Sequence, residues 1–163
     1  MTPEAIITHL KQLVETSKNG ELGYTTAAEH VNNTQLQSIF REYAKQRARF
    51  IQQLQGEIMR LGGTAEVSGS VTAALHRSWI DVKSALSGGD GRAIVSACES
   101  GEAAAEATYE RVLDMDISGE TRSLIEQQFH KIQEAHRHML NLKETASHTG
   151  SFPKSEVGGG FKG

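Results

Sequence analysis

Two glutamates, Glu21 and Glu102, sit where a carboxylate is costly. Each falls near the middle of an amphipathic stretch, on its apolar seam, and the two stretches echo one another. Asn19–Val31 (NGELGYTTAAEHV) and Ser100–Val112 (SGEAAAEATYERV) both open on Gly-Glu and close on Glu-x-Val. A charge placed there must be paired, protonated or bound to a metal ion, because an isolated buried charge is not tolerated. Counting back from the centre of the first turn sets Glu21 level with Gln46 and Arg47. Gln133 and His136 lie within about one helical turn of Glu102's level, with His130 a second imidazole close by. Two chemistries follow. One is a metal ion bound at these carboxylates. The other is an internal polar network of Glu21, Gln46, Arg47, Glu102, Gln133 and His136, in which Glu21 pairs with Arg47 and Glu102 accepts from His136 or Gln133. Arg47 favours the network, since a guanidinium keeps its charge and repels a cation.

The elements that must position these residues are helical throughout. Ile6, Leu10, Leu13, Ser17, Glu21, Tyr24, Ala28 and Val31 recur at steps of three and four, which predicts one helix over 3–31 with Thr2 as cap and Pro3 in its first turn. Asn19-Gly20 interrupts the pattern without changing its phase. A second helix carries Leu36, Phe40, Tyr43, Arg47, Phe50, Leu54 and Leu61, opens with Thr34–Gln37 in capping-box form, and stops at Gly62-Gly63. A third, over 91–114, runs through Cys98, Glu102, Ala105, Tyr109 and Val112. A fourth, over 119–145, stripes through Ile125, Phe129, Ile132 and His136. Between the second and third, 71–86 predicts a shorter helix with Val71, Leu75, Trp79, Val82 and Leu86 on one face. The short turns make two antiparallel hairpins, and the long 62–90 connection makes a crossover. The expected fold is all-α, a four-helix bundle with an extra short helix in the crossover between helices 2 and 3. The bundle domain spans 1–146. Residues 147–163 (SHTGSFPKSEVGGGFKG, counting from Ser147) form a flexible Gly- and Ser-rich tail.

Size and composition narrow the function. With 163 residues and 37% hydrophobic content, one domain with a real core is expected. A net charge of −3 lacks the basic excess that nucleic-acid binding needs. No apolar run is long enough to span a membrane, and no helix face is strongly basic. The single cysteine, Cys98, permits no internal disulfide, and with no secretory signal visible the cytoplasm is the expected compartment. Cys98 reads as a small buried hydrophobe, and Tyr24, Tyr43 and Tyr109 as core residues whose hydroxyls reach the polar layer. His138 and His148 read as exposed.

QRARFIQQLQGEIMRLGG, SGSVTAALHRSWIDVKSALSGGD, ESGEAAAEATYERVL and the GELGYTTAAEHV before them resemble a bacterial family of ferritin-like four-helix-bundle proteins catalogued as a domain of unknown function. The resemblance spans about 3–145 and implies a ferritin-like bundle in the wider ferritin and rubrerythrin superfamily. Dinuclear members of that superfamily use one Glu from each of two helices and a Glu-x-x-His from each of the other two. Glu21 and Glu102 match the lone glutamates, and His136 matches the histidine of Gln133-Glu-Ala-His136, where Gln133 replaces the glutamate. In Gln46-Arg-Ala-Arg49 both ligands are missing. The expectation is therefore a degenerate metal site in a non-catalytic structural or interaction protein, stress-related in keeping with the superfamily and self-associating as a homodimer or higher homo-oligomer. No cofactor is required, and one iron or manganese ion is the most that the ligands could hold. The alternative is a metal-binding oxidase or peroxidase of rubrerythrin kind.

Overall fold

The computed structural model describes residues 1–64 and 90–149. The expected crossover helix over 71–86, with Leu75 and Trp79, and the tail from 150 onward lie outside the described residues. Four helices account for the rest: α1 Pro3–His30, α2 Thr34–Arg60, α3 Gly91–Leu113 and α4 Gly119–Thr149. All regular structure among the described residues is helical, and no described helix is long and apolar enough to cross a membrane.

The helix ends follow local chemistry. Thr2 Oγ1 accepts from the Ala5 amide at 3.2 Å, and Pro3 begins α1 without a donor to lose. At α2 the cap is Asn33 rather than the capping-box Thr34, because Asn33 Oδ1 accepts from both the Gln35 and Leu36 amides at 3.0 Å. Gln37, the residue expected to close the box, donates to the Val31 carbonyl at 3.0 Å instead. Gly62, at φ +92°, ends α2 in a conformation a side chain would strain. Asp90 caps α3 by accepting from the Arg92 amide at 3.0 Å. Helix α4 continues to Thr149, past the residue 145 where its periodicity weakens.

Helix α1 packs on α2, and α3 on α4, as two hairpins, which meet chiefly through α1 against α3 and more lightly through α2 against α4. Helices α2 and α3 therefore stand on a diagonal of the bundle. Two apolar clusters fill the interior. Near the α1–α2 turn, Tyr24, Val31, Leu36, Phe40, Ile94, Cys98 and Met139 pack together. Toward the other end, Leu10, Leu13, Phe50, Ile58, Tyr109, Val112, Ile125 and Ile132 do the same. The start of α3 thus lies beside the end of α1, so the residues joined by 61–90 sit at opposite ends of the bundle. One full-length return connection and two hairpins give the expected four-helix arrangement.

Candidate functional site

A buried ion pair lies between the two apolar clusters. Arg47, at the middle of α2, reaches along the diagonal to Glu102, at the middle of α3. Arg47 Nη2 donates to Glu102 Oε1 at 2.7 Å and to Oε2 at 2.8 Å. The side chains are 1% and 0% exposed, so the pair is shielded from bulk solvent. Tyr24 of α1 completes the group by donating its hydroxyl to Glu102 Oε1 at 2.5 Å. The guanidinium carbon stands 5.7 Å from the Tyr24 ring centre and 5.6 Å from that of Phe50, within cation–π range of both. Burial is the largest single influence on the Arg47 guanidinium and pulls it down, but the charge and hydrogen bonds of Glu102, with smaller help from Tyr24 and Tyr109, together leave it above its ordinary value. Burial and the Glu102 charge push the Tyr24 hydroxyl well above the usual tyrosine range, with Arg47 opposing.

Gly20 makes this geometry possible. A Cβ at that position would stand 3.1 Å from Arg47 Nη1 and 3.2 Å from its Cγ. The glycine that looked like an interruption in the α1 pattern is the space the arginine occupies, and α1 runs through it unbroken.

Two further polar groups lie along the thinner α2–α4 seam, one centred on Gln128 and one on Tyr43 with His138. Gln128, buried on α4, accepts from the Tyr109 hydroxyl at 2.7 Å and donates to Gln53 Oε1 at 3.0 Å and the Phe50 carbonyl at 3.4 Å. The Tyr43 hydroxyl and His138 Nδ1 are 2.7 Å apart. His138 is thus not the exposed residue expected, and burial depresses its pKa. The side chain of His148 lies outside the described residues. Burial raises the Tyr43 and Tyr109 hydroxyls above the usual range and pushes the Cys98 thiol up.

The residues singled out from the sequence therefore regroup. Arg47 and Glu102 meet each other, whereas the expected pairings were Arg47 with Glu21 and Glu102 with His136 or Gln133. Glu21 is partly exposed and forms no ion pair with Arg47, because Gly20 and Tyr24, not residue 21, face the bundle axis. Gln46 is buried, but its Oε1 has no hydrogen-bond partner among the described residues and does not join the pair. His136 lies on the α3–α4 flank, with its Nδ1 2.7 Å from Glu106 Oε2. Gln133 bonds at the surface to His130 at 3.3 Å. The set Glu21, Glu102 and His136 does not converge, and among the described residues no three or more His, Cys, Asp or Glu side chains group so as to hold a metal ion. Sequence reasoning missed Gly20 and Gln128. Gln128 could have been found by running the α4 seam through 125, 128, 132, 135 and 139, the residues that are buried.

The fold and its interior define an all-helical four-helix bundle with a charged brace on its diagonal. The chain belongs to the family described as Domain of unknown function (DUF2383), whose family model matches residues 5–115. The match covers α1, α2 and α3, with Tyr24, Arg47 and Glu102, and stops short of α4. Among curated proteins, none matches the chain.

Proposed function

We propose that this chain is a non-catalytic bundle of ferritin-like kind, in which an internal ion pair stands where a metal centre would be built. The topology supports the first part of this reading: two hairpins joined by one long return connection form the ferritin-like variant of the bundle. The observation that carries the second part is the bonding of Arg47 to Glu102 at 2.7 Å with both side chains sealed from water. A permanently protonated guanidinium supplies the positive charge that Glu102 needs and excludes a metal ion from the same carboxylate. The dinuclear ligand pattern does not fit these residues, since Glu21 and His136 stand outside the group. On this reading the protein works through its outer faces, as a structural or interaction protein that associates with further copies of itself in the cytoplasm. Leu22 and Met59 stand exposed on α1 and α2.

Two measurements test this. Protein purified without chelator should carry far less than one iron or manganese per chain, and light scattering should give a mass above one chain. One or more iron or manganese ions per chain, lost on Glu102→Gln, would refute the reading in favour of a rubrerythrin-like metal protein. A strictly monomeric mass would remove the self-association part.

A further inference from the structure

We infer that the polar layer contains a binding site for a single internal water molecule, formed by Arg47 Nε, Ser17 Oγ and Tyr109 Oη. The inference rests on the geometry around the buried pair and not on the functional reading above.

The argument starts from what Glu102 leaves undone. Both of its oxygens bond to Arg47 through Nη2 alone, and the Arg47 Nε–H, equally sealed, has no partner among the described residues. A guanidinium cannot shed that hydrogen, so the donor persists at every ordinary pH. Ser17 Oγ, on a residue that is itself fully buried, is likewise without a partner. Ser17 lies one turn before Gly20 on the inward face of α1, and Gly20 is the position over which the Arg47 side chain passes. The third member comes from α3. Burial raises the Tyr109 hydroxyl, and Ser17 and Arg47 oppose it from close by. Because that hydroxyl donates to Gln128 Oε1 at 2.7 Å, its own oxygen keeps lone pairs with which to accept. Two idle donors and one idle acceptor therefore converge from three helices.

Water is the occupant that this set fits. An internal water typically makes about three hydrogen bonds to buried polar groups. Here it accepts from the Arg47 Nε–H and the Ser17 hydroxyl and donates to Tyr109 Oη. An ion fits worse, because Glu102 already balances the Arg47 charge and a further charge would be buried unpaired. The remaining two unpartnered atoms, Asn19 Nδ2 and Gln46 Oε1, each sit one residue away from this face, a turn of about 100° around the helix. The water would tie α1, α2 and α3 together at the height of the pair, and would complete the solvation of the arginine on the edge that the carboxylate does not cover.

The test is a crystal structure of the full-length chain at a resolution that orders waters, joined to magnetic relaxation dispersion of water deuterons in solution. A density peak within hydrogen-bond distance of all three atoms is expected. Ser17→Val, shown to be folded by circular dichroism, should bind one fewer long-lived water per chain than the parent, and Ser100→Val, at an exposed serine of α3, should bind the same number. Arg47 Nε bonded directly to a protein oxygen, with no peak beside it, would overturn the site. So would an unchanged dispersion in folded Ser17→Val. An anomalous signal at the peak in crystals grown with bromide would assign it to an anion instead, which also refutes the water. Iron or manganese content, the readout of the functional reading, bears on none of these outcomes.

Discussion

Replacing Arg47 with methionine keeps the length and most of the packing of the side chain while deleting its charge. Glu102 would lose its bonds at 2.7 and 2.8 Å and keep the Tyr24 hydroxyl as the contact described above. If the carboxylate stayed ionised, breaking a buried pair on one side would cost about 3–5 kcal/mol. The escape is to hold residue 102 protonated. For an ordinary glutamic acid, with a reference pKa of about 4.3, that costs about 3.7 kcal/mol at pH 7 and about 1 kcal/mol at pH 5. The two routes agree on a loss of 3–4 kcal/mol at neutral pH, a large part of the 5–15 kcal/mol typical of a domain. Urea unfolding followed by helical circular dichroism should show that loss at pH 7, shrinking toward 1 kcal/mol at pH 5. Arg47→Met with Glu102→Gln should recover most of it, because the amide can still accept from Tyr24 and carries no charge. Arg47→Met with Glu21→Gln should recover nothing. A loss below about 1 kcal/mol at pH 7, or rescue by residue 21 instead of 102, would refute the pairing.

Gly20→Ala and Gly56→Ala should move in opposite directions. Gly56 has nothing within 4 Å of an added Cβ, so alanine should stabilise α2 by about 0.5–1 kcal/mol. At Gly20 the new Cβ meets a buried Arg47 that Glu102 holds in place, and chemical denaturation should show a net loss of about 1 kcal/mol despite the helix-propensity gain. Tyr24, Tyr43 and Tyr109 all have raised folded-state pKa values, chiefly from burial. Their contribution is whole below the unfolded value near 10 and is lost as pH rises beyond it, at a limiting slope of about 4 kcal/mol per pH unit for the three together. Absorbance near 295 nm should therefore show tyrosinate appearing only as the helices melt. His138 has a depressed folded-state value, so its contribution is present above about pH 6.5 and is lost as pH falls toward the folded value. His138→Gln should flatten the decline of stability between pH 6.5 and 5 in urea titrations, and proton resonances of His138 should titrate below 6.5. The Cys98 thiol, buried and pushed up, should resist a disulfide reagent until the protein is unfolded.

The helices and their hairpin order were legible because apolar residues recur at steps of three and four over whole helices, and glycine or asparagine punctuates their ends. Arg47 and Glu102 were legible as members of a polar layer for the same reason, since each interrupts an otherwise apolar seam at mid-helix. Their pairing was not. In α1 the step from Ser17 to Tyr24 can pass through either residue 20 or residue 21. A glycine gives no hydrophobic signal, so the glutamate looked like the inward residue. The same ambiguity in α4 exchanged Phe129 and His136 for Gln128 and Ala135. A one-residue error in phase turns a side chain by about 100°, enough to move it from the axis to the flank. Partners across a diagonal depend on that phase in two helices at once, which periodicity alone does not fix.

The brace between Arg47 and Glu102 ties one hairpin to the other, and the segment that links those hairpins covalently is long. Nothing in the pairing requires both hairpins to come from one polypeptide. A guanidinium from one molecule can meet the carboxylate of another with the same distances, so reciprocal exchange of hairpins would preserve every buried bond described above. The feature that sets the height at which the halves dock would then also make an exchanged dimer as well ordered as the monomer, with only the route of the linker to tell them apart.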